Sequence, residues 1–355
     1  MCSAIPSATT SPIPPSCWIC LESSDDTTDT EADTTDATLS LDSRGLAYAD
    51  GFFTTMGVID GLILWPEHHL QRLISHAQAL QLALDSQGLL TRLQWYAKQL
   101  GQGMLKVVVT RSPQSVRGYA YAPNETGSAC EVWLKSSAMT VATAESLALP
   151  NEHSVPLQPS SSAVCLSAQL ACLPPSLAGL KSLNRLDTVL ASGELQRIKS
   201  QSVANQALNT PSSVNAQDSN TQEAVTQTAA QLNIGEGLLR DMSGHWVEGT
   251  MSNVFYQLLD TPSSNSKNFI NGNQTSRNYL TTGQWYTPSM AQSGVAGVMR
   301  QVIIDALSRT EYPVVIRSLQ DEDLPNISKI FFCNALRGIM PMNSLTLLSG
   351  EVVRL

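Results

Sequence analysis

The chain is poor in charge and has no basic surplus. Charged residues are 14% of its 355 positions, with 21 Lys and Arg against 30 Asp and Glu. No broad basic face follows from that balance, which argues against nucleic acid and anionic membrane as partners. An apolar run long enough to span a bilayer is missing as well. The N-terminus lacks a basic n-region, and prolines interrupt its apolar residues, so no signal peptide is expected and the cytoplasm is the expected compartment. Paired cysteines at metal spacing are absent. The seven cysteines are scattered and odd in number, as in a reduced protein without a disulfide framework. Cys17-Trp18-Ile19-Cys20 has the C-x-x-C form without a second pair and reads as part of a first strand. His69 and His76 share a helical face, but no carboxylate sits at ligand spacing, so no metal centre is expected.

The net charge of −9 is concentrated. Glu22, Asp25, Asp26, Asp29, Glu31, Asp33 and Asp36 supply seven negative charges with no base between them, leaving −2 for the rest. Residues 22–38 therefore read as a disordered acidic insertion, behind a loose leader at 1–16. Residues 200–230 and 260–284 read as polar insertions. The remainder divides into a small α+β domain at 17–138 and a larger domain at 163–355, with an interdomain linker inside the Pro/Ala/Ser-rich region 139–162. In the first domain, Asp50-Gly51 marks a turn and 52–58 a strand. Asp60-Gly61 closes a hairpin, a helix carries His68, His69 and His76, a second helix covers 89–100, and strands cover 104–110 and 130–138. In the second, 234–259 alternates like a meander and a helix runs from the Gly294 segment through Leu307. Short strands lie near 313–318 and 329–333, and 333–341 reads as a loop.

Four separated features carry chemistry. Lys181 follows Pro174, Pro175 and Gly179 and heads a run in which Leu183, Leu186, Val189 and Leu190 recur at helical spacing, which predicts a buried stripe on a helix ending near Lys199. A partly buried lysine in such an entry loop is a nucleophile toward a carbonyl; a solvated lysine at a helix start is the alternative. Gly294-Val295-Ala296-Gly297 before a helix offers backbone N–H groups and a favourable dipole to a phosphate. Arg72, on an otherwise apolar helix, either meets a fixed anion or snorkels. Glu248, between Trp246 and the small Gly249 and Thr250, suits a protonated ring nitrogen. Lysine, carboxylate and phosphate cup together describe pyridoxal phosphate.

The order and wording of these features resemble the fold-type IV pyridoxal-phosphate enzymes. The matching segments are SRGLAYADGFFTT (43–55), HLQRL (69–73), LKVVVTRSPQSVRGY (105–119), LAGLKSLNRLDTVLA (177–191), the Glu248 to Asn253 spacing in VEGTMSN, TPSMAQSGVAGVMRQ (287–301) and CNALRGIMPM (333–342). The resemblance implies a two-domain α+β architecture like that of D-amino-acid aminotransferase, with pyridoxal 5′-phosphate as cofactor and a homodimeric assembly. It implies Lys181 and Thr55 as catalytic residues, with Lys181 joined covalently to the cofactor. Glu248 would pair with the pyridine nitrogen, and Arg72 with Gly297, Val298 and Met299 would hold the phosphate. Arg117 would meet a substrate carboxylate, and Arg44, Tyr119 and Asn334 would line the cavity. For Arg44 an ion pair to Asp42 or Asp50 is the alternative, and for Tyr119 and Asn334 it is loop structure. Within the family, Asn184-Arg185-Leu186 after the lysine, and Met299 where aminotransferases usually carry a threonine, are like the aminodeoxychorismate lyases. Those enzymes convert 4-amino-4-deoxychorismate to 4-aminobenzoate and pyruvate for folate synthesis. Fold-type IV aminotransferases acting on branched-chain or D-amino acids are the alternative.

Overall fold

The computed structural model describes residues 18–21, 39–122, 124–141, 145–151, 153–209, 233–259 and 279–355, with backbone alone at 203–209. The leader, the acidic insertion, and residues 210–230 and 260–278 of the polar insertions lie outside the described residues. The chain forms two compact units, Met1–Val141 and Ala142–Leu355.

In the first unit, β1 (Trp18–Leu21), β2 (Gly51–Ile59), β3 (Leu62–Ile63), β4 (Gly103–Arg111) and β5 (Cys130–Ala138) form a sheet in the order β1-β5-β4-β2-β3. Every pairing in it is antiparallel. Apolar residues at alternate positions of β2, β4 and β5, among them Phe52, Met56, Leu105, Val107, Val132 and Leu134, share one core with Leu73 and Ala77 of α2 (Pro66–Ala79) and Leu89, Leu93 and Ala97 of α3 (Ser86–Leu100). Alternation puts successive side chains on opposite faces, so one face is covered by the helices. A short helix, α1 (Arg44–Tyr48), precedes β2.

The second unit is built on one large sheet. Glu145–Ala148 (β6) and Ser154–Leu157 (β7) form an antiparallel hairpin, so part of the passage that composition reads as linker is sheet, and the boundary falls at Val141. Next come β8 (Ser161–Leu170), α4 (Leu186–Asn209), β9 (Ile234–Asp241), β10 (Trp246–Gly249), β11 (Asn253–Leu258), β12 (Tyr286–Thr287), α5 (Val298–Leu307), β13 (Val315–Ile316), β14 (Ile327–Asn334), β15 (Gly338–Thr346) and β16 (Val352–Arg354). Pairings β8–β9, β9–β10, β10–β11, β11–β14, β14–β15 and β15–β8 close a ring of six strands. All six strands send apolar side chains into one cluster, including Cys165, Leu238, Trp246, Val254, Phe332 and Met340. A second cluster lies on the other face, where Val164, Leu166, Leu239 and Val247 meet Ala191 and Leu195 of α4 and Met290.

Three sequence expectations change here. The helix after Lys181 starts at Leu186 and runs ten residues beyond Lys199, to Asn209, into the segment read as an insertion. Its buried residues among the described side chains are Ala191 and Leu195; Leu186, Val189 and Leu190 are 73%, 61% and 71% exposed. The larger apolar residues thus cover the outside of the helix, and the small alanine is what allows close approach to β8. The span 333–341 is a tight hairpin, with Asn334 opposite Gly338, and not a loop.

Candidate active site

The site in the second unit begins with a bulge. Trp246 pairs with Arg240 and Glu248 with Leu239, so two residues of β10 advance while one of β9 does. A bulge re-aims side chains that alternation would send to opposite faces. Val247 and Glu248 consequently both reach Gly294: a Cβ there would come within 2.9 Å of Val247 Cγ1 and 3.0 Å of Glu248 Oε2, and its φ of +76° is one that L side chains rarely adopt.

Glu248 is buried, and its Oε2 accepts from the Val295 N–H at 2.9 Å and from Asn253 Nδ2 at 3.3 Å. Asn253 Nδ2 also donates to the Val295 carbonyl at 2.8 Å. Both polar groups of Val295 are thereby fixed by residues five apart on the β10–β11 hairpin. Burial pushes the Glu248 carboxyl up to about 7, opposed by the Val295 N–H bond and then by the charges of Arg185 and Lys181. No ion pair involves Glu248 among the described residues. A buried carboxylate with no cation bonded to it is what a protonated ring nitrogen requires.

The lysine turn meets the same loop. The Ala296 N–H donates to the Gly179 carbonyl at 2.9 Å, in a bridge that joins Gly179 to Val295. Lys181, half-buried, follows two residues later. The 294–297 loop spends the N–H groups of Val295 and Ala296 on the protein, while those of Gly297, Val298 and Met299 donate to no partner among the described residues. These three open α5, at the positive end of its dipole. Gly297 is fixed by a close approach: a Cβ there would overlap Asn253 Oδ1. Met299 is 1% exposed, so only its backbone is offered. The structure thus brings Lys181, Glu248 and the N–H groups at 297–299 together around one loop.

The remaining site residues divide differently. Arg72 lies in the first unit, buried, and donates from Nη1 to Thr54 Oγ1 at 3.5 Å; burial lowers its pKa to about 10. Thr54 Oγ1 also bonds His69 Nδ1 at 2.9 Å, and burial, with Arg72 beside it, holds His69 well below the usual imidazole range. Thr55, the neighbour singled out from sequence, is half-buried on the opposite face of β2, away from Arg72. Arg117 is exposed on the loop after β4, and Tyr119 is 84% exposed with its ring against Tyr48.

Arg44 forms the ion pair to Asp50 that stands as its alternative role. Its Nε donates to Asp50 Oδ2 at 2.8 Å, and its Nη atoms donate to the carbonyls of Gly118, Tyr119 and Ala120. The same Asp50 oxygen accepts Arg111 Nε at 2.9 Å. Asn334 is likewise structural: its Oδ1 accepts the Leu336 and Arg337 N–H groups and its Nδ2 donates to the Met251 carbonyl at 3.3 Å.

Sequence reasoning gave no role to four residues that shape this site. Asn253 carried a signal, its fixed spacing from Glu248. Arg185 stood in the quoted Asn-Arg-Leu run. Its Nη2 donates to the Leu180 carbonyl at 2.6 Å and its Nε to the Ser182 carbonyl at 3.3 Å. Glu236 is buried on β9 and accepts from Thr250 N and Oγ1, at 3.1 and 2.5 Å, and from Ser252 Oγ at 2.7 Å, tying down the turn between Glu248 and Asn253. Asp241 accepts from Ser293 Oγ at 2.7 Å, anchoring the loop before Gly294. Nothing local in the sequence marks these last two.

A family profile described as amino-transferase class IV matches residues 51–214 and 215–345, most of the chain. The chain belongs to the class IV aminotransferase family. Among curated relatives of this family member, an aminodeoxychorismate lyase of Vibrio harveyi is 21% identical over 306 residues, 86% of this chain and 87% of the relative. Among solved structures, 4-amino-4-deoxychorismate lyase from Pseudomonas aeruginosa is similar with a TM-score of 0.60 and 28% identity, covering 87% of this chain and 88% of that one. The branched-chain aminotransferase of Escherichia coli shares the fold with a TM-score of 0.55 and 18% identity, over 87% and 82% of the two chains. The two-domain α+β architecture is therefore that of fold type IV, and the cofactor of that fold type is pyridoxal 5′-phosphate. The residues described fit it: a buried carboxylate lacking a cation, three N–H groups at a helix start without a partner among the described residues, and a lysine on a turn bonded to the same loop.

Proposed function

We propose that this class IV family member is a pyridoxal-phosphate lyase that converts 4-amino-4-deoxychorismate to 4-aminobenzoate and pyruvate, a step that feeds folate synthesis. The observation that carries the reading is the grouping of Lys181, Glu248 and the 297–299 N–H groups around one loop, with buried Met299 in place of a phosphate-binding hydroxyl. Similarity to two lyases across most of the chain supports it.

Lys181 would hold the cofactor, Glu248 would face its ring nitrogen, and the N–H groups of Gly297, Val298 and Met299 would bind its phosphate. When bound, the cofactor supplies a ring that accepts the electron pair left as a proton leaves the amine-bearing carbon. Glu248, as a carboxylate, would favour the protonated form of that ring nitrogen. Lys181 takes the proton at Nζ from the amine-bearing carbon and is placed to return one as the enolpyruvyl ether departs. Loss of the ether makes the substrate ring aromatic, so positioning and proton transfer are the protein's main tasks.

A homodimer belongs to the proposal, and the exposed Leu186, Val189 and Leu190 on α4 support it. No described helix is long and apolar enough to cross a membrane, and a cytoplasmic location is part of the same reading. The test gives the purified protein 4-amino-4-deoxychorismate and measures pyruvate and 4-aminobenzoate. Equal release of both is expected. No pyruvate, together with amino transfer from a branched-chain or D-amino acid to a 2-oxo acid, would replace the lyase by the aminotransferase alternative.

A further inference from the structure

We infer that Arg185 is a positioning residue for Lys181, bracing the backbone on both sides of the lysine so that its amine returns to one place in each catalytic cycle. The inference rests on the reading of Lys181 as the cofactor lysine, and no similarity to a relative assigns Arg185 a role.

The geometry is a fork around a single residue. The Arg185 side chain turns back along the chain, Nη2 donating to the carbonyl before Lys181 at 2.6 Å and Nε to the carbonyl after it at 3.3 Å. Leu180 lies outside helix and sheet and Ser182 at an isolated bridge, so no continuous ladder fixes this turn. A guanidinium suits the task because its donors are rigidly spaced, whereas an ammonium is a single point on a flexible stem.

The brace has an anchor of its own. The Arg185 carbonyl accepts the Val189 N–H at 2.9 Å, placing Arg185 at the head of α4. That helix is held to β8 by Ala191 and Leu195 and by Glu194, which accepts from Ser167 N, Ser167 Oγ and Ala168 N at 2.7–2.8 Å. Rigidity passes from the strand ring through α4 and Arg185 to the lysine turn. Arg185 forms no ion pair among the described residues, and its charge acts on Glu248.

A lysine that must release its covalent bond and then carry a proton needs a mobile side chain on an immobile backbone. Loss of the brace should therefore show in the chemical step and not in substrate capture.

The test compares Arg185→Lys and Arg185→Met with the parent. In the cofactor-free proteins, hydrogen exchange of the peptide spanning 179–184 should be at least about tenfold faster in both variants. In the holoenzymes, kcat should fall about tenfold or more with KM within about threefold, which is about 1.4 kcal/mol of barrier. Arg185→Lys is the decisive variant, since it keeps the charge and loses the fork, and it decides alone where Arg185→Met does not fold. Parental exchange at 179–184, full kcat in Arg185→Lys, or a loss confined to KM would overturn the inference. Borohydride reduction of the parent separates the two levels. A pyridoxyl group on Lys181 with parental behaviour of the variants defeats only the Arg185 inference; no such group defeats the cofactor reading beneath it.

Discussion

Replacing Glu248 by glutamine in the cofactor-free protein should make it more stable at neutral and alkaline pH, by an amount the burial of that carboxylate sets. Unfolded, the group has its ordinary value of 4.5; folded, burial pushes it up to about 7. Between those values the folded state holds a proton that the unfolded state has released. Stability must then fall as pH rises through that window. At about 1.4 kcal/mol for each pH unit, the step from 4.5 to about 7 comes to about 3 kcal/mol. Glutamine cannot ionise, and its carbonyl can accept the Val295 N–H in place of Oε2. Below about pH 4.5 parent and Glu248→Gln should be close in stability, and by about pH 8 the variant should lead by about 3 kcal/mol. Urea unfolding of both proteins across that range is the assay. Asp241, Asp323, Glu194 and His69 also have displaced pKa values, but they are common to both proteins and cancel in the difference. Saturating pyridoxal phosphate should shift the balance back toward the parent, because a protonated ring nitrogen offsets the buried charge. A gap that does not change with pH would show that Glu248 ionises as freely as a surface carboxylate, and the reading of the site would fail with it.

Asp50→Asn should cost about 3 kcal/mol or more in urea unfolding, because Arg44 and Arg111 share one Asp50 oxygen and both arginines are buried; loss within experimental error would mean that the triad is solvent-screened. Glu236→Gln should destabilise by about 2 kcal/mol and weaken binding of pyridoxal phosphate, since the carboxylate holds Thr250 and Ser252 in the turn between Glu248 and Asn253; absorbance titration reads the binding, and unchanged affinity would count against the turn's importance. Gly297→Ala should lower cofactor affinity about tenfold, with a smaller effect on stability, because its methyl overlaps Asn253 Oδ1 at the first of the three open N–H groups; parental affinity would argue against phosphate there.

What the sequence made legible follows how local each signal is. The antiparallel hairpins of the first unit could be read because Asp50-Gly51 and Asp60-Gly61 flank alternating apolar runs, and β2 to β5 each pair with a neighbour in the chain or across a helix pair, whereas β1 joins β5 from the far end of the unit. The Lys181 and Glu248 positions stood out because small and turn residues surround them. Strands β8 and β15 were missed. They pair parallel to each other across nearly two hundred residues, and β8 shows a near-continuous apolar run with no alternation to mark it. The face of α4 was assigned to the wrong side because Leu186, Val189 and Leu190 satisfy helical spacing as well as Ala191 and Leu195 do. Periodicity finds a stripe and does not say which stripe is covered. Arg44 shows a further limit: its anchor Asp50 is six residues away and visible, but the carbonyls at 118–120 that take up its other donors come together only in the fold. Asn253, Arg185 and Glu236 act on the site through hydrogen bonds to turns, a role that leaves little trace in residue type.

The central claim is that Lys181 carries pyridoxal phosphate within the loop built from Glu248 and residues 294–299. Reduction of the holoprotein with borohydride, followed by proteolysis and mass mapping, tests it most directly. One pyridoxyl group per chain, on Lys181 and absent from Lys181→Ala, is the result predicted. An adduct on another lysine, or none after saturation with the cofactor, would contradict it.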